Sequence, residues 1–329
     1  MARRAAKEVD GRPVPDRRRV LEALLGERVV DLRDVTPAWE TGTRTAIATL
    51  QGGDRVVAQW PRDRRGLSRR LRMARMLPSV APWIPVTELL GGDADATGPV
   101  LVTRFVTGES GREWLNDDDG AVLLGRRMGE LAAGLRRVPA RGLRLSTLWG
   151  DPGRLVAAAH RWLADDRAAI GAAGAAVVER LLDRVPAELG GAPPVFAHGD
   201  FAPVNVLVRD GAVAALLDFE RARIAHPLFD AAWWRWIVRH HHPDRWDAAG
   251  PAFFRAAGLD LDAGTVARLD LLAALQLAEQ LHDTPRGMVA IRAEWAARLA
   301  AELGRQPRAR QPRAGKDPPE LGRQPRARD

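Results

Sequence analysis

VFAHGDFAPVNVLVRDGAVAALLDFE, residues 195–220, is a run of β-like sequence inside a half of the chain whose pattern is otherwise helical. Its two apolar segments, Val206–Val208 and Ala212–Leu217, flank the dipeptide Asp210-Gly211. An Asp-Gly pair between two apolar runs is typical of a tight hairpin turn. The stretch therefore predicts a buried β-hairpin with a polar loop on either side.

The register of this hairpin decides which polar side chains meet. With the turn at Asp-Gly, we expect Asn205 to face Leu216, which puts Asp218 about two residues past the partner of Asn205. Asp200 lies in the loop that leads into the same open end. The carboxylates of Asp200 and Asp218 and the amide of Asn205 are thus expected to converge.

Two carboxylates and an amide supply the oxygen ligands that Mg²⁺ prefers beside a nucleotide. Phosphoryl transfer needs such a metal site, a carboxylate at the attacking hydroxyl, and positive charge over the transferred group. The spacing of His198, Asp200 and Asn205 reproduces that of the kinase catalytic loop, H-R-D-x-x-x-x-N. The sequence therefore predicts a phosphoryl-transfer site at this hairpin.

The remainder of the chain predicts an α+β protein with two lobes. The first third combines predicted strands at Thr45–Leu50, Arg55–Trp60, Val86–Leu90 and Pro99–Phe105 with helices at Arg17–Leu25 and Leu67–Leu77. The later part predicts long amphipathic helices at Asp118–Arg137, Asp151–Ala164, Ala172–Leu189, Leu228–Arg239, Ala263–Leu281 and Gly287–Leu303. We expect a small β-rich N-lobe at residues 20–106 and a larger helical C-lobe at residues 107–301.

The net charge of +8 is confined to the two ends of the chain. Residues 1–19 form a basic N-terminal extension, and residues 302–329 form an Arg/Pro-rich tail that repeats the sequence ELGRQPRAR. We expect this tail to be disordered, because it has almost no apolar residues. The body between the ends carries no net charge, which argues against binding of a nucleic-acid backbone.

The amino-acid composition and the absence of certain motifs exclude several other classes of protein. The chain has no cysteine, so it forms no disulfide and no thiolate metal site, and its apolar runs are far shorter than a membrane span. The first 19 residues lack the apolar core of a secretory signal, and we expect a cytoplasmic protein with no membrane partner. Walker A and G-x-S-x-G motifs are absent from the sequence, which argues against a P-loop nucleotide-binding protein and against a serine hydrolase.

HGDFAPVN followed by LLDFE resembles the catalytic and metal-binding segments of the aminoglycoside-phosphotransferase and choline-kinase family, whose fold is bilobal and kinase-like. The resemblance implies that Asp200 is the catalytic base and that Asn205 and Asp218 hold Mg²⁺. It also implies that His198 and Asp230 support the catalytic loop. The co-substrate it implies is ATP or GTP.

The same resemblance extends to the predicted nucleotide site. LVTRFVTG, residues 101–108, is similar to the hinge that holds adenine, and the TGTR turn at residues 41–44 would cover the phosphates. The residues expected to contact the nucleotide are Gly42, Thr43, Arg44, Gln59, Thr103, Arg104, Phe105 and Val106.

The chain departs from the family pattern at the phosphate anchor. Its two lysines, Lys7 and Lys316, lie in the end segments, and Gln59 occupies the position of the usual strand lysine. The helix that follows has no glutamate to complete the usual ion pair. An arginine could replace the lysine as a phosphate clamp. Arg44 is the first candidate, and Arg55 and Arg62 are weaker ones.

The acceptor is the least determined part of the prediction. Antibiotic-modifying members of the family grip cationic substrates with acidic residues of the C-lobe, and the candidates here are Glu220, Asp260, Asp262, Glu279 and Asp283. An ordinary solvated helix face explains these acidic residues equally well. The sequence also leaves the oligomeric state open.

Two clusters have plainer explanations than a binding site. The run His240–His242 resembles a metal cluster, but consecutive helical residues point in different directions, which favours a solvated helix end. Trp233, Trp234 and Trp236 are interpreted as core packing, with lining of the acceptor site as the alternative for one of them.

The leading hypothesis is an ATP- or GTP-dependent O-phosphotransferase that modifies a small molecule, such as an aminoglycoside-like antibiotic, and confers resistance. Because the usual lysine and glutamate are both absent, a nucleotide-binding pseudokinase without turnover is the first alternative. A kinase of a metabolic amino-alcohol or sugar is the second.

Overall fold

The computed structural model describes residues 16–36, 42–61, 64–94 and 99–305. The part up to Arg104, the N-lobe, is built on a five-stranded antiparallel sheet. Its elements are α1 Arg17–Leu25, β1 Val29–Asp34, β2 Thr43–Leu50, β3 Arg55–Pro61, α2 Arg64–Val80, β4 Leu89–Asp93 and β5 Val100–Arg104. The strands lie in the order β1-β2-β3-β5-β4, so β3 is the central strand.

Local sequence signals explain most of the N-lobe. Asp16 caps α1, and Gly26 ends it in a left-handed conformation with φ of 67°. The helix prediction is confirmed at both ends, and the predicted β2–β3 hairpin is confirmed with longer strands. Ala48, Val56 and Val102 pack with α1 in the core of this lobe. The first strand, β1, was not anticipated.

The part from Glu109 onward, the C-lobe, is mainly helical. Its elements are β6 Glu109–Ser110, α3 Asp118–Leu135, α4 Pro152–Leu189, β7 Val195–Ala197, β8 Val206–Arg209, β9 Ala212–Leu216, β10 Arg223–Ala225, α5 Phe229–His241, α6 Trp246–Ala256, α7 Ala263–Asp283 and α8 Val289–Arg305. Strands β6, β8 and β9 form one small sheet, and β7 pairs with β10. The fold is thus α+β, as the sequence predicts.

Helices α3 and α6 form the closest helix pair of the C-lobe. A Cβ atom added at Gly125 would lie 2.4 Å from the carbonyl oxygen of Ala249, and one at Gly129 would lie 2.3 Å from that of Phe253. The glycines therefore let the two backbones approach closely. Trp234 of α5 stacks on Phe253 with ring centroids 3.8 Å apart, which ties this pair to the rest of the core.

The hairpin at β8 and β9 forms, but its predicted register is wrong by one residue near the open end. A β-bulge between Leu207 and Val208 makes Val206, rather than Asn205, the partner of Leu216. Asn205 instead accepts a hydrogen bond from the backbone N–H of Leu217 at 2.8 Å. Such an extra residue shifts every later pair by one position. Asp218 therefore follows immediately after the residue that faces Asn205.

Several predicted boundaries also change. Helix α2 begins three residues earlier than predicted and continues through Pro78, whose fixed φ fits the last turn. The two helices predicted at residues 151–189 form α4, which is interrupted only at Gly171, where φ is 75° and ψ is 161°. Strand β4 begins at Leu89, three residues later than predicted.

The start of the predicted tail is also corrected. Helix α8 extends to Arg305, and both Glu302 and Leu303 are buried, because the amphipathic pattern of the helix continues into the first repeat. Residues 306–329, with the rest of the repeat, and residues 1–15 of the basic extension lie outside the described residues. Helix α6 was missed by the prediction. Across the described ranges, the search for a helix that could span the bilayer found none.

Candidate active site

A cavity of about 420 Å³ separates the sheet of the N-lobe from the β8–β9 hairpin of the C-lobe. Six of the predicted nucleotide contacts line it, namely Thr43, Gln59, Thr103, Arg104, Phe105 and Val106. The predicted metal ligands Asn205 and Asp218 line the opposite side. The structure therefore brings the predicted nucleotide residues and the predicted metal residues to one cleft.

Arg44, the first candidate for the phosphate clamp, does not line this cleft. Its neighbours Thr43 and Thr45 face the cavity, and successive side chains of a strand point to opposite faces of the sheet. Arg44 is accordingly exposed on the outer face. Gly42 also lies outside the cavity lining, so of the three nucleotide contacts predicted in this turn, Thr43 alone lines the cleft.

Arg55, one of the two weaker candidates, does not line the cleft either. The guanidinium carbon of Arg55 lies 3.8 Å from the ring centroid of Phe105, as a cation–π contact on an exposed side chain. Arg62 lies outside the described residues.

The carboxylate of Asp200 is held on both oxygens. Nδ2 of Asn205 donates to Oδ2 at 3.0 Å, and Nε1 of Trp233 donates to Oδ1 at 2.8 Å. Nδ2 of Asn205 also donates to the backbone oxygen of Asp200 at 2.8 Å. These bonds hold the side chain in one orientation. The predicted convergence of Asp200 with Asn205 is thus observed, whereas the contact with Trp233 was not predicted.

His198 is fully buried beneath the loop. Its Nε2 lies 2.7 Å from the carbonyl oxygen of Leu217, to which it donates, and the backbone N–H of Asp200 donates to its Nδ1 at 3.3 Å. The ring therefore connects the Asp200 loop to the strand end that leads to Asp218. These contacts support the predicted structural role of His198.

Asp230, at the start of α5, anchors the same loop from below. Its carboxylate accepts the backbone N–H of His198 at 2.8 Å and that of Gly199 at 3.0 Å. Burial raises the pKa of Asp230, and the nearby His198 and these N–H bonds oppose that rise. Two backbone bonds to one carboxylate make Asp230 a support for the loop, in agreement with its predicted role.

Gly199 is the residue that allows this loop to turn. Its φ is 89°, and a Cβ atom at this position would lie 2.0 Å from the carbonyl oxygen of Arg221. A side chain is excluded both by the backbone conformation and by the adjacent chain. The glycine in HGD is therefore required by the close packing of the Asp200 loop on the segment after Asp218.

Asp218 has a left-handed backbone conformation, with φ of 63° and ψ of 64°. Such a conformation is uncommon outside glycine and costs about 1 kcal/mol or more, so it persists where the surroundings enforce it. The side chain as a whole is 28% exposed, but its Oδ1 is buried. Burial raises the pKa of Asp218 to about 7; Arg70 opposes this rise, and the charges of Glu220 and Asp200 add to it.

The side chains of Asn205 and Asp218 offer oxygen atoms that could hold a divalent cation beside Asp200. When Asp200, Asp218 and Glu220 are all ionised, they carry three negative charges against one positive charge on the buried Arg70, which contacts two of them. Oδ1 of Asp218 is buried and pairs with Nη2 of Arg70 at 2.8 Å. Asn205 makes its bonds to Asp200 through its nitrogen, so its amide oxygen is available as a ligand. A hard cation with oxygen ligands would offset this excess of negative charge and could bind the amide oxygen of Asn205.

Arg70 of α2 is a cleft residue that the sequence analysis missed. Its side chain is 5% exposed, and its Nη2 lies 2.8 Å from Oδ1 of Asp218 and 2.5 Å from Oε2 of Glu220. Its Nη1 lies 3.4 Å from Oε1 of Gln59. The sequence did contain a signal for Arg70. It follows Leu67 by three residues and so lies on the apolar face of the helix, where a charged side chain needs a partner.

The acidic residues predicted to bind the acceptor are engaged in other contacts. Both oxygens of the buried Glu279 accept from Nη1 of Arg223, at 2.9 and 2.7 Å, and Nε1 of Trp149 donates to Oε1 at 2.9 Å. Burial acts to raise the pKa of Glu279, but the charges of Arg223 and Arg221 outweigh burial and hold this pKa below its usual value. These contacts give Glu279 a part in the packing of the C-lobe, and its acceptor role stays a prediction.

Three of the acceptor candidates, Glu220, Glu279 and Asp283, lie around Arg221. Burial acts to lower the pKa of Arg221, but their charges and that of Asp200 raise it. Asp262 caps α7, where its Oδ1 accepts the backbone N–H of Thr265 at 2.6 Å, and Glu220 pairs with Arg70. Asp283 forms a half-exposed ion pair with Arg221 at 3.5 Å, and Asp260 is exposed. Because Glu220, Glu279 and Asp283 each pair with an arginine, their part in binding a cationic acceptor stays a prediction.

The histidine run at the end of α5 does not form a metal cluster. Among the described residues, no group of three or more potential metal ligands is found. His240 stacks on Trp236 with centroids 4.9 Å apart, so it is more buried than a solvated helix end implies. Trp234 and Trp236 are buried, as predicted for core residues.

Solved structures with the same architecture identify the class as the kinase-like α+β fold of antibiotic phosphotransferases. A macrolide 2'-phosphotransferase, MphH from Brachybacterium faecium, is 21% identical, with 88% of this chain and 97% of that chain covered and a TM-score of 0.63. A thermostable variant of aminoglycoside phosphotransferase APH(4)-Ia with ADP and hygromycin B is 17% identical, with 88% and 98% covered and a TM-score of 0.65. At such identities the likeness establishes the fold.

Within this class, the family is assigned by the sequence. The phosphotransferase enzyme family, APH, matches residues 35–267, and the chain belongs to that family. No protein in a search of curated sequences matches it. Family and fold together support small-molecule phosphotransfer as the general activity.

Proposed function

We propose that this chain transfers the terminal phosphoryl group of ATP or GTP, bound with Mg²⁺, to a hydroxyl group of a small molecule. The observation that carries the proposal is that Asn205, which lines the cleft together with Asp218, also holds the carboxylate of Asp200 jointly with Trp233. Such an arrangement is what in-line transfer between a nucleotide and a hydroxyl requires.

In the proposed reaction, Asp200 orients the acceptor hydroxyl and accepts its proton as the hydroxyl oxygen attacks the γ-phosphorus, while the bond from that phosphorus to the bridging oxygen of the β-phosphate breaks and ADP or GDP leaves. Asn205 and Asp218 would hold Mg²⁺, which supplies charge stabilisation to the phosphates when bound. The segment from Thr103 to Val106 would contact the purine from the cleft wall. His198 and Asp230 keep the Asp200 loop in place through buried hydrogen bonds.

We propose an antibiotic as the acceptor class, with resistance as the consequence. Two solved neighbours support this class, because their structures are described as complexes with hygromycin B and with kanamycin, and a third is a macrolide 2'-phosphotransferase. In this chain the acidic residues Glu279 and Glu220 are neutralised by arginines. The panel of acceptors should therefore include neutral and singly charged compounds beside the polycationic aminoglycosides.

A pseudokinase without turnover is the second candidate. It is favoured by Gln59, which places a neutral amide at the position of the usual strand lysine. A kinase of an amino-alcohol or sugar shares the proposed chemistry and differs only in acceptor. The same assay separates all three.

The test uses the purified full chain with Mg-ATP or Mg-GTP and a panel of macrolides, aminoglycosides, sugars and choline. We expect phosphorylation of at least one acceptor and its loss in Asp200→Asn. Asp210→Asn is the matched control, because Asp210 is a 95% exposed turn residue of the neighbouring hairpin. Nucleotide binding without transfer to any acceptor would support the pseudokinase, and transfer by Asp200→Asn at the wild-type rate would overturn the role of Asp200.

Expression in a sensitive bacterium tests the biological consequence. The intact gene should raise the antibiotic concentration that the cells tolerate, and the Asp200→Asn gene should not. Resistance that persists in the variant would separate any protection from phosphoryl transfer.

A further inference from the structure

Arg70 provides the strongest unassigned feature of the cleft. It is a fully charged side chain, 5% exposed, on helix α2, and its guanidinium touches Asp218 and Glu220 in the opposite lobe. We propose that Arg70 is the phosphate anchor of the nucleotide site, so that the positive charge normally delivered by strand β3 comes here from helix α2. This inference rests on the proposed function and adds the residue that binds the phosphates.

Arg69, the neighbour of Arg70 on α2, binds the backbone oxygen of Glu220 through its Nη1 but does not line the cavity. Three further arginines also do not provide a buried cation at the cleft. Arg44 lies on the outer face of the sheet, and Arg55 covers Phe105. Arg104 lines the cavity, but its guanidinium binds Glu88 at 2.6 Å and Asp54 at 3.4 Å on an exposed side chain. Among the arginines that line the cavity, Arg70 is therefore the one that contacts a predicted metal ligand.

Gln59 explains why the cation can come from the helix. Its Oε1 lies 3.4 Å from Nη1 of Arg70, so a neutral acceptor faces the guanidinium at the position of the usual lysine. A lysine there would put two positive charges side by side and destabilise the buried arginine. Gln59 and Arg70 thus form a matched pair in which the strand contributes the acceptor and the helix contributes the charge.

The chemistry of the guanidinium suits phosphate. Five N–H donors lie in one plane, so one edge can bind carboxylates while another binds phosphate oxygens. Bidentate arginine–phosphate bonds are short and charge-assisted. The negative charges of Asp218 and Glu220 hold the guanidinium at the cleft. Arg70 is therefore positioned both to brace Asp218 and to meet the phosphates beside it.

The experiment compares triphosphate and nucleoside affinity in the full chain. Arg70→Gln should weaken binding of Mg-ATP or Mg-GTP by about 10- to 100-fold, the loss typical of a charge-assisted hydrogen bond. Binding of adenosine or guanosine should change less than about twofold, since the purine contacts lie on the β5 side of the cleft. Arg75→Gln is the matched control, because Arg75 is an exposed arginine of the same helix.

The ratio of triphosphate affinity to nucleoside affinity distinguishes a phosphate anchor from a residue that only links the two lobes. If Arg70 only links the two lobes, Arg70→Gln weakens the affinity for nucleoside and for triphosphate equally, and the proposal is overturned. If Arg70→Gln binds the triphosphate as tightly as the wild type does, the proposal for Arg70 is also overturned. The proposed phosphotransferase function is not affected by that result. A wild-type chain that binds neither nucleotide defeats this inference and the proposed function together.

Arg70→Lys covers the case in which Arg70→Gln does not fold, as judged by its thermal unfolding. Lysine keeps the charge but loses the planar fork, so we expect a smaller, selective loss of triphosphate affinity. Adding Gln59→Lys to Arg70→Gln returns a cation from the strand and should recover part of the selective loss. An unchanged triphosphate affinity in Arg70→Lys, or no recovery in the double variant, would count against Arg70 as the anchor.

Discussion

Trp233 donates its indole N–H to Oδ1 of Asp200 at 2.8 Å, on the oxygen opposite to the one that Asn205 binds. The two donors together fix the orientation of the Asp200 carboxylate. Trp233 is 3% exposed and stacks on Trp236 with ring centroids 5.1 Å apart. The orientation of the predicted base is therefore coupled to the packing of the aromatic core behind it.

The first prediction concerns this hydrogen bond. Trp233→Phe keeps most of the packing but removes the donor, so Asp200 can rotate away from the acceptor. We expect kcat to fall by roughly 10- to 100-fold, the range for a small misplacement of a reacting group, with little change in KM for the nucleotide. Steady-state kinetics with a phosphorylated acceptor provide the measurement.

Trp236→Phe is the control for this change. Trp236 is equally buried, but its Nε1 has no hydrogen-bond partner within the described ranges. Its substitution should leave kcat within about twofold, since no bond to Asp200 is lost, although the smaller ring leaves a cavity that lowers stability. Equal kcat losses in both variants would mean that ring packing, not the bond to Asp200, matters.

The second prediction concerns the glycine of the HGD segment. Gly199→Ala should abolish activity and destabilise the protein by more than about 2 kcal/mol, because a Cβ would lie 2.0 Å from the carbonyl oxygen of Arg221. Gly53→Ala has the same backbone strain, with φ of 92°, but its Cβ would meet nothing within 4 Å. Denaturant unfolding of the two variants isolates the close contact, and similar losses in both would contradict it.

The third prediction tests whether Glu279 serves structure or acceptor binding. Glu279→Gln leaves Arg223 buried without a charged partner, which should cost about 3–5 kcal/mol. Asp283→Asn removes the half-exposed pair with Arg221 and should cost less than about 1 kcal/mol. Thermal and denaturant unfolding give these values. A stable Glu279→Gln variant with a raised acceptor KM would restore Glu279 to the acceptor site.

The fourth prediction is the acid sensitivity caused by His226. This side chain is 7% exposed, and its Nδ1 accepts the backbone N–H of Leu228 at 3.2 Å. Burial lowers the pKa of His226 to about 4, and Arg268 acts in the same direction. Between pH 6.5 and pH 4 the unfolded chain binds this proton and the folded chain does not, so stability falls as the pH falls.

His226→Asn should remove this part of the acid sensitivity. Asparagine retains an acceptor for Leu228 but does not titrate, so the variant should lose up to about 3 kcal/mol less than the wild type between pH 7 and pH 4. The free energy of unfolding, measured by denaturant titration across this range, provides the test. His160→Asn, at an exposed position of α4, is the control, and parallel curves for His226→Asn and wild type would refute the assignment.

Much of the fold was predictable because its signals are local. The cap at Asp16 and the stop at Gly26 define α1, and the Asp-Gly turn places the β8–β9 hairpin. The strand β1 and helix α6 were missed because neither has a distinct turn or alternation signal in the sequence. The β-bulge at Leu207 was also invisible, since an extra residue in one strand changes pairing without changing composition.

The sequence by itself determined the chemistry: the order and spacing of His198, Asp200, Asn205 and Asp218 were sufficient to predict a site for a nucleotide and its metal. Spacing within a short segment is set by backbone geometry, which is the same in every chain. Tertiary structure alone decided which cation lies beside that site. Arg70 and Glu220 are 150 residues apart, and Trp233 is 33 residues from Asp200, so their contacts depend on how the two lobes and α5 pack. No local pattern encodes such packing, because the free energy that brings these residues together comes from the burial of the whole core.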